Sequence, residues 1–350
     1  MAGNIKGIEM KRRTFVGAAT ALPAVSLLGA GSARAQVKEI RMIESGGKSG
    51  ESIEVGYIEP FTKKTGIKVI RESPNSLGKL RALVESGQTS TVLMELGSGT
   101  LVQAKNLKLI EPIDWAAVNP AAMFPEAKNE YGFGYQYFST IMAWRAGAKA
   151  PKNWAEFFDT KAFPGKRCLP DFPHYSLPFA VMATGVPADK LFPLDVETGF
   201  KKLNEIKKDI AVWWKAGAQP PQLMKDNEVQ YVICWSGRVV GDPAFGYNFA
   251  GGMADLAYFS IVKGSKPEDR AAAYKLMYEM SLPANQAKAA TVISYTGPSP
   301  ELDALLPKDK LSDFPSSKQN KSVQWFQNAE WWAANGEAVN KKWEAFKLGL

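Results

Sequence analysis

Three features of the sequence predict an α/β fold in two lobes. Short apolar runs alternate with stretches of helical period from Lys38 onward. The chain has 350 residues, 45% of them apolar, which is enough for two hydrophobic cores. The aromatic, glycine-punctuated segment from Tyr131 to Pro164 then marks a passage out of one compact unit and into another.

The first 35 residues read as a cleavable address. Lys11, Arg12, Arg13, Thr14 and Phe15 form a twin-arginine pattern, and the mild apolar run Val16 to Gly29 leads to the small-residue site Ala33, Arg34, Ala35. That run is too short, and too rich in Gly and Ala, to span a bilayer. The expected location is therefore the periplasm. The address carries five cations and one anion, so half of the net charge of +8 leaves with it. The remaining +4 is only mildly basic and forms no stripe that would bind nucleic acid.

The first lobe is expected over residues 36–142 and 256–350. Ile40 to Ile43 reads as a strand, Ile53, Tyr57, Ile58 and Phe61 share a helix face that Gly66 ends, and Ile67 to Ile70 is the next strand. Leu77, Leu80 and Val84 mark a second helix, Thr91 to Leu96 a third strand, and a short helix follows from Thr100. This alternation predicts a parallel sheet with helices on both faces, in which ligands bind beyond the carboxyl ends of the strands. The loops at those ends are Ser45, Gly46, Gly47 and Gly97, Ser98, Gly99, Thr100. Glycine lets backbone approach a ligand, and the amides at a helix start attract an anion. Turn glycines with Ser98 or Thr100 as a helix cap are the plainer reading. Val102 stands where a dinucleotide fingerprint needs its third glycine.

The second lobe is expected over residues 143–255. A helix starts at Asn153, Arg167 to Leu169 is a strand, and the turn Asp171, Phe172, Pro173, His174, Tyr175 follows. Asp195 and Thr198 open a helix whose apolar face holds Val196, Phe200, Leu203, Ile206 and Ile210. Trp235 and Arg238 end the next strand, where an indole offers a stacking face and a guanidinium a forked donor. Tyr135 and Tyr137, two residues apart on the crossing strand, are candidate walls of a cleft. After the glycine-rich stretch Phe249 to Met253 the chain returns to the first lobe through the strand Leu256 to Val262. Ser265 and Glu268 then have capping-box spacing. The tail aromatics Trp325, Phe326, Trp331, Trp332, Trp343 and Phe346 are expected to dock a terminal helix over the lobes.

The chemistry that catalysis or metal binding would need is sparse. His174 is the sole histidine, so zinc sites and nucleophile–histidine pairs are nearly excluded, and no cofactor is expected. Cys168 and Cys234 both fall in strand candidates and read as buried free thiols, with a single bridge as the alternative if the strands are neighbours.

With these residues in view the chain resembles the spermidine/putrescine-binding type of periplasmic solute-binding protein, the soluble part of an ATP-driven importer. The resemblance rests on FTKKTGIKVI from Phe61, LKLIEPID from Leu107, NWAEFFDTKAFPGKRCLPD from Asn153 and the long run from Ser260 to Leu302. It implies a type II binding-protein fold, two lobes hinged by two crossovers, a trapped small ligand, permease subunits in the inner membrane as partners, and a monomer. It also places pocket residues on Trp235, Tyr295 and Asp171, with an aromatic near Tyr137. Departures occur where the family's strand-end aromatics are replaced by Ser45, Gly46, Gly47 and by Ser98, Gly99, Thr100, and where Tyr175 replaces a glutamate. The family's late-strand carboxylate falls near Ala257, with Asp255 close by.

Two ligand classes fit these residues. Glu44, Glu95, Asp171 and Asp255 with Trp235 and Tyr295 suit an amine or diamine. The glycine loops with Arg238 suit an organic acid, a phosphonate or an amino-acid-like zwitterion. Ferric iron is disfavoured because no adjacent tyrosine pair is present. The rival class is an exported hydrolase or lyase using Asp171 with Glu95 or Asp255. With 35 acidic residues such a pair arises easily, and nothing marks an activated nucleophile, so no enzyme is expected.

Overall fold

β-Branched and apolar runs pair into one mixed sheet whose centre is two long antiparallel strands. A computed structural model describes residues 1, 3, 37–87 and 90–349; the twin-arginine pattern and its cleavage site lie outside them. The strands are β1 (Glu39–Ile43), β2 (Lys68–Glu72), β3 (Thr91–Gly97), β4 (Ile110–Glu111), β5 (Lys128–Asn129), β6 (Gly132–Arg145), β7 (Arg167–Pro170), β8 (Ile210–Trp214), β9 (Tyr231–Trp235), β10 (Phe245–Val262) and β11 (Trp325–Phe326). The main order is β2-β1-β3-β10-β6-β9-β7-β8. Pairing is parallel at both flanks, where helical crossovers return the chain, and antiparallel from β3 through β10 and β6 to β9.

The long central strands link separate hydrophobic clusters. The first holds Ile40, Phe61, Leu93, Tyr137, Leu256 and Met277; the other two lie among β7, β8 and β9 and hold Phe157, Phe179, Leu203 and, separately, Cys168, Trp214 and Cys234. On β6 the change of cluster comes between Tyr137 and Ile141, and on β10 between Met253 and Leu256. Both cysteines are buried and free. Burial pushes the Cys168 thiol up to about 12 and that of Cys234 further still, which keeps both protonated.

Most local punctuation follows the sequence. Gly66 caps its helix in the left-handed conformation (φ 74), Asn153 accepts from the Glu156 amide, and Asp195 accepts from the amide and hydroxyl of Thr198. Two readings change. β10 begins at Phe245 rather than Leu256, because the glycine-rich stretch is a bulge between the Asn248 and Met253 pairings and not a loop. The Gly251 carbonyl there accepts from both Trp154 Nε1 (2.8 Å) and Trp325 Nε1 (3.1 Å). The capping box does not form either: Pro267 opens the helix Pro267–Ser281, and the Ser265 hydroxyl donates to the Val262 carbonyl instead.

The C-terminal helix Ala329–Leu348 straps the molecule. It buries Trp332, Val339 and Trp343 in the cluster that contains Phe179 and Leu203, and it also packs on the helix Ser98–Asn106. Trp343 Nε1 donates to Asp171 Oδ1 at 2.9 Å, and Lys347 pairs with the same carboxylate. Among the described residues no helix is long and apolar enough to cross a membrane. Trp343 is 1% exposed, so Trp343→Ala should cost about 3–5 kcal/mol, read as a lowered midpoint in urea unfolding. A cost under about 1 kcal/mol would show that the strap is not part of the core.

Candidate functional site

Two carboxylates, one near the end of β3 and one in the middle of β10, are buried between the clusters, and neither has an ion pair among the described residues. Glu95 ends the apolar run of β3 just before Gly97, and Asp255 lies where β10 changes cluster; they are 5% and 3% exposed. The Glu95 carboxylate accepts from the Ser45 amide (2.6 Å), the Ser45 hydroxyl (3.2 Å) and the Tyr135 hydroxyl (3.0 Å). Burial pushes its carboxyl up to about 7, with these hydrogen bonds opposing and the charge of Glu44 reinforcing the rise. Burial likewise raises Asp255 to about 6, although the Leu256 amide donates to its Oδ1 at 2.8 Å. Neither carboxylate has a lysine or arginine among the groups acting on it.

A cation follows on the next strand end. Arg238 lies in the 3₁₀ turn Ser236–Arg238 after β9, beside Gly237, which packs on the Tyr295 ring, and its buried Nε has no hydrogen-bond partner among the described residues. Aromatic walls complete the cluster. Trp235 lies edge-on to Trp214 (5.0 Å between centroids), Tyr175 (6.1 Å) and Phe138 (6.4 Å), and Phe138 packs on Tyr295 at 6.0 Å. Trp235 Nε1, too, is buried without a partner. A cavity of about 280 Å³ opens beside this cluster, lined by Ser98, Gly99, Thr100, Tyr175, Asp255 and the strap residue Trp332 among others.

The structure divides the sequence candidates into three groups. Ser45, Tyr135, Trp235, Arg238 and Tyr295 surround the charged cluster. Ser98, Gly99, Thr100, Tyr175 and Asp255 face the adjoining cavity, where the Ser98 hydroxyl donates to Gln327 Oε1 (2.8 Å). The rest are engaged elsewhere. Although Asp171 also borders that cavity, burial of its carboxyl is outweighed by hydrogen bonds from Lys347 and Trp343 and by the charges of Lys347 and Lys215, which hold it below the usual range. The Tyr137 hydroxyl donates to Glu126 Oε1 (2.8 Å), away from Glu95. Strict alternation would put Tyr135 and Tyr137 on one face, but β6 is bulged at Tyr135, with Ala257 opposite Gln136 and Tyr258 opposite Gly134. Gly47 is exposed, and the amides of Ser45 and Gly46 already donate to Glu95 and Glu44. Those two amides are thus turned inward to acids. Phe138 and Gln327 were not legible as site residues; position on a strand end was the only available signal for Glu95.

Comparison with known proteins places this arrangement among transport receptors. A family profile described as bacterial extracellular solute-binding protein matches residues 56–321. The chain is 31% identical over 338 residues, 92% of its own length and 95% of the relative's, to a gamma-aminobutyric acid-binding protein of Pseudomonas aeruginosa. It is 22% identical over 296 residues, 79% of its length and 84% of the relative's, to the spermidine/putrescine-binding periplasmic protein of Escherichia coli. An ABC transporter substrate-binding protein from Bradyrhizobium japonicum superposes with a TM-score of 0.83 at 31% identity, covering 88% of this chain and 99% of that one.

The two buried carboxyls give the ligand-free protein a pH signature. Each binds its proton more tightly folded than unfolded, so its stabilising contribution is complete below the ordinary carboxyl range and is lost as pH rises through about 6 for Asp255 and about 7 for Glu95. The melting temperature should fall over that interval, and Glu95→Gln should remove the upper part of the fall. An unchanged profile in Glu95→Gln would place the titration elsewhere.

Proposed function

The chain belongs to the bacterial extracellular solute-binding proteins and is the solute-binding component of an ABC transporter; we propose that its solute is a small zwitterion with separated ammonium and carboxylate ends, gamma-aminobutyric acid being the first candidate. The observation that carries this reading is the pair of carboxylates Glu95 and Asp255, buried with no ion pair among the described residues, in one cluster with Arg238, whose buried Nε has no partner among them. An ammonium placed between the carboxylates restores their charge balance, and a carboxylate takes the forked guanidinium. The methylenes between them lie against Trp235, Tyr175 and Tyr295. A diamine would set its second ammonium against Arg238, where like charges repel. The 31% identity to a gamma-aminobutyric acid-binding protein supports the same class.

In this reading residues 36–142 with 256–350 and residues 143–255 are lobes that close on the solute, β6 and β10 being the crossovers. The terminal helix is held to the second lobe through Asp171. Closure is stabilised by contacts that only the liganded form makes, and the closed shape is what the permease subunits receive. Export through the twin-arginine pattern and action as a monomer complete the proposal. The family and the relatives act as solute carriers, and nothing among them supports the hydrolase reading.

Calorimetric titration of the mature protein tests the ligand class. Gamma-aminobutyric acid should bind and putrescine should not, and Arg238→Ala should weaken binding by about 100-fold, as expected for removing one partner of a buried charge pair. Tighter binding of putrescine, or an Arg238→Ala protein of undiminished affinity, would contradict it.

A further inference from the structure

The two sides of the charged cluster meet at a residue that has no side chain. Gly237 lies in the turn Ser236–Arg238 after β9, beside Val239 and Cys234 of the second lobe's cluster. Facing it are Ile293 and Tyr295, in the loop after the helix Pro283–Ala290, which packs through Ala289 on the first lobe's cluster. A Cβ at position 237 would stand 2.6 Å from Tyr295 Cε1, 2.9 Å from Tyr295 Cζ and 2.8 Å from Ile293 Cγ1. Real Cβ atoms do not approach so closely, so either the turn or its neighbours would have to move.

The neighbours are held. Tyr295 is 6% exposed and packs on Phe138, and the next residue, Thr296, is bridged to Tyr137 through both backbone amides (2.6 and 3.3 Å). Ile293 is 5% exposed. The backbone at Gly237 is not in the left-handed region, so an alanine could adopt it. Glycine is needed there for the approach and not for the conformation.

We infer that Gly237 sets how far the two lobes close, and thereby the affinity for the solute. This inference rests on the reading of the molecule as two lobes that shut on a zwitterion. Without a Cβ the turn seats on the Tyr295 ring, and the next residue, Arg238, is brought to the phenol and the ligand's carboxylate. A methyl group at 237 props the lobes apart and leaves each lobe intact, because the crowded atoms lie across the seam.

The test compares the mature wild type with Gly237→Ala, using gamma-aminobutyric acid as the probe. The variant should melt at the wild-type temperature without the probe. It should bind the probe about tenfold more weakly or worse, through faster dissociation, and its radius of gyration in X-ray scattering should stay near the ligand-free value at saturation. In Gly237→Ala combined with Ile293→Ala and Tyr295→Ala, removal of both crowding side chains should restore the compaction, although affinity stays low. Wild-type affinity and compaction in Gly237→Ala overturn the inference, and so does a triple variant that does not compact. A loss of stability in Gly237→Ala without the probe also overturns it, because the contact would then hold in the open form as well. If the wild type neither binds nor compacts, the functional reading fails and takes this inference with it.

Discussion

The structure turns on charges buried without counterions. A carboxylate removed from water costs several kcal/mol unless an opposite charge or enough hydrogen bonds meet it. Glu95 receives three hydrogen bonds and Asp255 one from the Leu256 amide, and both are still pushed toward neutrality. Arg238 keeps a buried Nε with no partner among the described residues. Elsewhere such unmet groups would be a defect. At the junction of two clusters, in the proposed reading, a solute of complementary charge pattern removes the penalty. In that reading each end of the solute contributes more to the shut form than to the open one, which is the condition for binding to drive closure.

The fold brings these groups together from distant parts of the chain. β3 delivers a carboxylate near its end and β10 one from its middle, β9 delivers the indole and the turn after it the guanidinium, and the loop after Pro283–Ala290 delivers the phenol. The first glycine loop has a supporting role. Its Ser45 and Gly46 amides serve Glu95 and Glu44, with Arg71 Nη1 3.4 Å from Glu44, so this part of the loop orients acids. Asp171 is likewise structural, since Trp343 and Lys347 of the terminal strap satisfy it. The strap thus ties the tail to the turn that leads to Tyr175.

How much of this was legible depended on whether the deciding contact was local. Helix starts at Asn153 and Asp195 and the stop at Gly66 were readable because each is set within a few residues. The alternation of strands and helices gave the architecture, and the quoted segments gave the family. The bulges were not readable. Glycines from Phe249 to Met253 signal a loop unless the partner strand is known, and the extra residue at Tyr135 reverses the expected facing of two tyrosines. The preference of Asp171 for the tail was also hidden, because Lys347 lies 176 positions away. Arg238, Trp235 and Tyr295 were legible as candidates, but which charges they would meet was not.

The most direct measurement is the proton balance of binding, from calorimetry of the mature protein with gamma-aminobutyric acid near pH 6.5 in buffers of different ionisation enthalpy. An ammonium seated between Glu95 and Asp255 should ionise them, so the account predicts net proton release that falls toward zero above about pH 8, once both carboxyls are already charged. Binding without proton exchange at the lower pH, or with proton uptake, would contradict it.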